Sequence, residues 1–324
     1  MFLFDSANLV FHAAFSIAGV RCHLSTNSQD VLQQAAPWQA APQRVNTASF
    51  RMEVIEHSSL ESNSSGGNHF RGLHHLVFAR LEPRSFVTYD LLRRHVRGVV
   101  SSAAARDHFF WKTQLLPITM GVLGTTLDVA PLHCASLARD GDGILVAGVS
   151  GAGKSTLTAA LACRGFGVVS DDWTYVTRNR SSLIANGLSA PIKLLPDSSR
   201  FFSELQTHAP RKTLNGEIAY ELDPAQFRPG AGLSSCVPKW IFFLERIPAG
   251  GSRFLPCPRQ YTRDFFESSA ERLPEELRAA REARSEIIDQ LSQRPSWFLR
   301  SGDDPHKTAE AIDKFLSEVP LATP

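Results

Sequence analysis

The residues with the plainest chemistry are Gly148-Val149-Ser150-Gly151-Ala152-Gly153-Lys154-Ser155, followed by Thr156. The spacing reads G-x-x-x-x-G-K-S. Glycines at these positions let successive backbone N–H groups point into one concavity, and a helix starting at the lysine adds the positive end of its dipole. Phosphate oxygens fit such a cradle. Lys154 then reaches the terminal phosphates as a mobile cation, and the Ser155 hydroxyl ligates magnesium. The expected ligands are a nucleoside triphosphate, ATP, held by Gly148, Ser150, Gly151, Ala152, Gly153, Lys154, Ser155 and Thr156, together with Mg2+. A glycine-rich turn also arises by chance. What separates the two is context, a buried strand before the loop and a helix after it.

Asp171-Asp172 stands 17 residues after Lys154. Of two carboxylates so placed, one can accept a hydroxyl proton and one can hold magnesium; aspartates also end strands for purely structural reasons. The short spacing points to a compact kinase-like site. Transport-type ATPases carry their metal-site aspartate much further along, and their Leu-Ser-Gly-Gly-Gln signature is missing: the nearest string, Gly232-Leu233-Ser234-Ser235, is a poor match. His133 stands 15 residues before Gly148. After Pro131-Leu132 such a histidine is more often a hydrogen-bonded core or loop residue than a reactive one. Lys193, Arg211, Lys212 and Lys239 are cations in the right half of the chain to offset phosphate charge, although surface exposure is the ordinary fate of such residues. Lys193 ranks first, because it follows Pro191-Ile192 on a segment that should be ordered. Asp303 and Asp304 read as caps of a last helix.

The elements that must position these groups are legible around the loop. Residues 144–147 form a short apolar run, residues 157–163 are helix-forming, and residues 166–169 read as a second buried strand ending at Asp171-Asp172. Residues 240–244 predict a strand, and residues 272–293 and 304–318 predict helices. Ahead of the motif, residues 50–55 and 76–81 predict strands. Residues 89–105 predict an amphipathic helix, with Leu91, Leu92, Val96, Val99 and Val100 opposite Arg93, Arg94 and Arg97. Residues 1–35 mix short apolar runs with polar breaks, residues 35–42 read as an irregular connector, and residues 58–69 as a loop tip or insertion. No internal repeat is visible.

Composition narrows the function classes. With 324 residues there is room for two unequal units, and 43% apolar against 20% charged residues is the balance of a soluble globular protein. A formal charge of +2 suggests neither a nucleic-acid track nor a polybasic membrane anchor. Five cysteines without a C-x-x-C pair indicate neither a disulfide framework nor a zinc site, which fits a reducing cytosol. The first residues lack the basic start of a signal peptide. Residues 115–132 are too short and too broken to span a bilayer, and read as buried core. A cytoplasmic location without membrane insertion is expected.

His133, the loop and Asp171-Asp172 together resemble the C-terminal domain of the HPr kinase/phosphorylase family and its relatives, the HPr-kinase-related serine kinases. In that family a histidine precedes the P-loop strand, the loop reads G-x-S-G-x-G-K-S, and a short strand after the helix ends in Asp-Asp. Here Ser150 and Ser155 occupy the loop, and Arg164-Gly165 is followed by Val169-Ser170-Asp171-Asp172. The close resemblance covers residues 133–172, with a looser one toward the C-terminus. It implies an α/β fold: a P-loop kinase domain of the HPr kinase/PEP carboxykinase-like type over residues 112–324 and a smaller N-terminal α+β domain over residues 1–111. It also implies that His133 lies near the transferred phosphoryl group, that Asp171 is the general base, and that Asp172 assists at the metal, with Ser155, or at the nucleophile. The implied activity is ATP-dependent transfer to a hydroxyl of a protein or peptide acceptor, a serine. A homo-oligomer is compatible with it. One departure matters. The family's Leu-Glu-Ile-Arg-Gly segment, whose glutamate and arginine belong to the active site, has no counterpart in residues 184–193, which contain neither. This leaves open a nucleotide-binding regulatory protein without transfer activity, and a kinase for a small molecule.

Overall fold

Val20, Cys22, Leu24 and Thr26 are buried in alternation with more exposed neighbours, the period of a half-buried strand. They form β2 (Val20–Thr26), paired with β1 (Phe11–Ile17) through a turn in which Ala18 and Gly19 have φ of 49° and 76°. Two left-handed residues are what the commonest two-residue hairpin turn requires. Neither strand is apparent from sequence, because residues 9–26 mix polar and apolar types too freely. The computed structural model describes residues 9–39, 48–60, 67–81, 85–179, 182–188, 190–213, 216–248, 250–270, 273–302 and 304–318.

Helix α1 (Gln29–Gln39) crosses from β2 to β3 (Ser49–Glu56), which runs parallel to β2. It carries the chain helically through most of the connector expected over residues 35–42; residues 40–42 lie outside the described residues. Next come β4 (His69–Leu73), β5 (Leu76–Leu81), β6 (Ser85–Asp90) and β7 (His95–Val100), and the seven strands are ordered β1-β2-β3-β7-β6-β5-β4. Of the loop expected over residues 58–69, residues 61–66 lie outside the described residues, and His69 already belongs to β4.

The helix expected over residues 89–105 is not there. Tyr89 faces Val96 and Asp90 faces His95 across an antiparallel hairpin, and only α2 (Ser102–Arg106) is helical. Over ten residues the apolar positions fit a period of 3.6 and a hairpin equally well, and β-branched Val96, Val99 and Val100 favour the strand. The turn is fixed by the Asp90 carboxylate, which accepts the Arg93 N–H at 2.9 Å, and by Arg94 at φ 53°. Beyond α2 lie α3 (His108–Phe110), a π-helical turn (Trp111–Leu115) and α4 (Leu116–Leu123). Leu115, Leu116, Met120, Leu123 and Leu127 are buried, as expected of a core stretch. Among the described residues no helix is long and apolar enough to cross a membrane.

The remaining strands are β8 (Val129–His133), β9 (Ala135–Arg139), β10 (Asp142–Ala147), β11 (Gly167–Ser170), β12 (Trp173–Asn179), β13 (Ser182–Asn186), β14 (Ile192–Leu194), β15 (Arg211–Lys212), β16 (Ile218–Leu222), β17 (Ser235–Arg246), β18 (Arg253–Pro256) and β19 (Ser296–Ser301). The helices among them are α5 (Lys154–Cys163), α6 (Pro224–Phe227), α7 (Arg259–Ser268), α8 (Arg278–Leu291) and α9 (Pro305–Glu318). The larger sheet runs β11-β9-β10-β17-β13-β12-β8, with β19 beside β17 and β18 beside β19; β14-β16-β15 form a small third sheet. Strand β10 is parallel to β17 and β17 to β19. The helix expected over residues 272–293 begins only at α8, after a 3-10 turn (Glu275–Leu277). Asp304 accepts the N–H groups of His306 and Lys307 at the start of α9, the expected cap; Asp303 and Arg272 lie outside the described residues.

The molecule is thus mixed α/β with several sheets. It divides into two units, one of residues 1–131, 175–183 and 270–288, the other of residues 132–174, 184–269 and 289–324. No single cut, at residue 111 or elsewhere, produces these units. In the second unit α5 presents fully buried Ala159, Ala160 and Ala162, whose small side chains let it lie close to the sheet, while Leu157 and Leu161 join Ile144, Val146, Phe242 and Ile312 in the core. Each such aliphatic side chain contributes about 1.5–3 kcal/mol. The seat of α5 fixes where its N-terminus points, back to the end of β10.

Candidate functional site

Strand β10 stops at Ala147 and α5 starts at Lys154, so the glycine loop occupies the turn between them, in the strand, loop, helix, strand order read from the sequence. Gly148 has φ 152°, and a Cβ there would stand 2.8 Å from the Leu244 carbonyl oxygen of β17. Glycine is required for both conformation and close approach. Gly153, at φ 99°, is the N-cap and supplies no side-chain acceptor to α5. The first N–H groups of that helix therefore have no partner within it and carry the positive end of its dipole. The Lys154 ammonium is buried and donates to the carbonyls of Gly148 at 3.0 Å and Val149 at 3.4 Å. Ser155 and Thr156 are half-buried, with the Thr156 hydroxyl 3.4 Å from that of Ser198.

All four residues of β11 are buried, and the strand delivers Asp171 and Asp172 at its end. Asp171 is 3% exposed. Its Oδ2 accepts the backbone N–H of Lys193 at 3.0 Å, while Oδ1 is buried without a hydrogen-bond partner. Burial pushes its carboxyl up from 3.8 to about 6; the Lys193 amide and the nearby Ser155 and Thr158 hydroxyls pull it down, and the Asp172 charge adds to the rise. Asp171 therefore stands beside Ser155, in the first turn of α5.

Asp172 takes different surroundings. Its Oδ1 lies 2.8 Å from His133 Nε2, and the two side chains are 64% and 38% exposed. The His133 ring stacks on Trp173, centroids 5.6 Å apart and planes at 29°. Just beyond, Thr174 donates to the Cys134 carbonyl at 2.8 Å, which ties the segment after Asp172 to the segment after His133. Two adjacent carboxyls are thus separated, one buried beside Ser155 and one facing solvent on an imidazole. Contrasting environments of this kind divide acid and base roles between neighbouring carboxyls.

The cations fall otherwise than their ranking suggested. Lys193 reaches Asp171 through its backbone, and its ammonium pairs with Glu217 at 2.5 Å. Arg211 and Lys212 are exposed on β15. Lys239 lies in β17 next to the start of β10, the end remote from the loop.

Among the described residues no group of three or more His, Cys, Asp or Glu side chains is arranged to hold a metal ion by itself. Magnesium bound to a nucleotide needs no such cage, because phosphate and water supply most of its oxygens. The unpartnered Oδ1 of Asp171 beside the Ser155 hydroxyl fits a contribution of that kind.

On the β17 side of the loop lies a cavity of about 400 Å³, lined by residues 148–152, 243–246, Tyr261 and Phe265. Sequence reasoning missed it, and missed Trp173. The available signals were Tyr261 and Phe265 at i,i+4 on α7, the Glu245-Arg246 pair closing an apolar strand, and the tryptophan directly after Asp-Asp.

No protein-family model matches the chain, and no curated protein matches it. Among solved structures, one that is similar is the Hpr(Ser) kinase/phosphatase from Coxiella burnetii, 14% identical, with a TM-score of 0.30, covering 58% of this chain and 93% of that one. A likeness at that level leaves activity to be read from the residues themselves.

Proposed function

We propose that the chain is an ATP-dependent phosphotransferase acting on a hydroxyl of a protein or peptide. The observation that carries this reading is the buried Asp171 carboxyl beside Ser155, at the end of the strand that follows the glycine loop. The loop from Gly148 to Thr156 is then a P-loop, and Lys154 exchanges its two loop carbonyls for phosphate oxygens. Ser155 and the free oxygen of Asp171 would hold magnesium, which when bound offsets the charge of the terminal phosphates. The acceptor oxygen attacks the terminal phosphorus, its proton passes to Asp172, and the bridging oxygen leaves with ADP. His133, hydrogen-bonded to Asp172, stabilises the carboxylate that takes the proton. This division reverses the one implied by the resemblance, which gave the base to Asp171. Exposure favours the reversal, since a hydroxyl on a macromolecule reaches a side chain that is 64% exposed and not one that is 3% exposed.

The test is transfer itself. Purified protein incubated with terminally labelled ATP and peptide-rich cell extract is expected to label an acceptor, and Asp172→Asn to slow labelling by about 10² or more while binding persists. Nucleotide binding without any labelled acceptor would sink the kinase reading. A second reading, a nucleotide-binding regulatory protein, would then stand; it is favoured by Ile184, Ala185 and Asn186, buried and uncharged where the resembled family has a glutamate and an arginine.

A further inference from the structure

Taking the glycine loop as the phosphate cradle, we infer that the cavity between that loop, the end of β17 and α7 receives the base and ribose of the nucleotide. The sheet supplies the first reason. Strand β10 lies between β9 and β17, and Asp171 follows β11, which pairs with β9. The carboxyls are on one flank of the loop and the cavity is on the other. A triphosphate lying along the loop with its reacting end at the carboxyls therefore extends its nucleoside toward β17.

The walls supply the second reason. Tyr261 and Phe265 are nearly parallel, at 27° with centroids 6.3 Å apart, and Phe243 meets them edge-on at 5.1 and 5.0 Å. Tyr261 is 42% exposed, so a portion of this large ring is left uncovered by the protein. A planar base gains contact on such a surface, and the volume is that of a small-ligand site. At the rim, Glu245 accepts the Arg300 N–H at 2.8 Å, and its carboxyl oxygens offer further acceptor positions to an exocyclic amine or a ribose hydroxyl. The chemical class is thus an amino-bearing nucleotide base, and inorganic polyphosphate would leave the cavity unused.

Calorimetric titration of the full chain with magnesium ATP and with magnesium tripolyphosphate separates the cavity from the cradle. Wild type is expected to bind ATP more tightly than tripolyphosphate. Tyr261→Ala should weaken ATP about tenfold, the scale of one base–aromatic stack, and leave tripolyphosphate within about twofold, while Tyr261→Trp keeps ATP affinity. Unchanged ATP affinity in Tyr261→Ala, or equal weakening of both ligands, overturns the assignment. So does a wild type that binds both ligands equally, an outcome that leaves the phosphate cradle standing. A wild type that binds neither removes the cradle and the nucleoside site with it.

Discussion

Asp171 and Asp172 are neighbours in the chain and differ in nearly every physical respect. The sequence shows two carboxylates after an apolar strand. It does not show that the backbone of Lys193, 22 residues further on, covers one of them and leaves the other in water. That difference sets a measurable sign. A buried carboxyl raised from 3.8 to about 6 holds its proton more tightly folded than unfolded, so its contribution to stability is best below about pH 4 and is lost as pH rises through 6. The full difference is at most about 3 kcal/mol, reached above pH 6. Asp171→Asn removes the titration. Urea unfolding at pH 4 and pH 8 is expected to find the variant gaining on wild type at pH 8 and not at pH 4; a gap independent of pH would show that Asp171 does not titrate in this window. The place of Lys154, directly after the glycine loop at the start of α5, was legible from spacing alone. Lys154→Ala should abolish measurable tripolyphosphate binding in the same calorimetric titration, since its ammonium is the one cation donating to the loop among the described contacts.

Among the elements, the strand, loop and helix around Lys154 could be read because three signals agreed: a continuous apolar run, glycines at fixed offsets and an alanine-rich stretch. The hairpin at residues 85–100 could not, because arginines between valines suit a helix face and a strand face equally. A further element-level feature has no sequence signature. Gly187 directly follows β13 at a point where a Cβ would stand 1.7 Å from the carbonyl oxygen of Val169, and its own N–H donates to the Ser234 carbonyl at 3.1 Å. Backbone on both sides leaves no room for a methyl group. Val169 is two residues before Asp171, so any shift to accommodate one is transmitted to the candidate site. Gly187→Ala is expected to lower stability by about 1–3 kcal/mol, the usual scale of overpacking, and to reduce nucleotide affinity as well. A urea midpoint equal to that of wild type would mean that the crossing is looser than 1.7 Å implies.

For the whole molecule, the sequence suggests a cut near residue 111 because every chemical motif lies after it. The fold interleaves the chain instead. Residues 175–183 and 270–288 belong with residues 1–131, joined to them by Tyr175 to the Pro117 carbonyl at 3.5 Å and His74 to Glu276 at 3.0 Å, and to each other by Arg178 to Glu286 at 3.0 Å. Surface ion pairs of this kind are worth little. The apolar contribution is larger: Tyr175, Val176, Leu277, Ile287 and Ile288 are all nearly or fully buried. A fragment of residues 132–324 would keep these side chains and lose the first 131 residues they are grouped with. Each large apolar side chain exposed costs about 1.5–3 kcal/mol, against a total stability on the order of 5–15 kcal/mol for a domain. Exposure of even three or four of them consumes most of that stability. The fragment is therefore expected to contain secondary structure by circular dichroism, to bind a hydrophobic dye, and to melt without a cooperative transition, although it retains the whole glycine loop, His133 and both aspartates. A sharp melt together with tripolyphosphate affinity like that of the full chain would show that the second unit folds alone, and that residues 175–183 and 270–288 find their cover without the first.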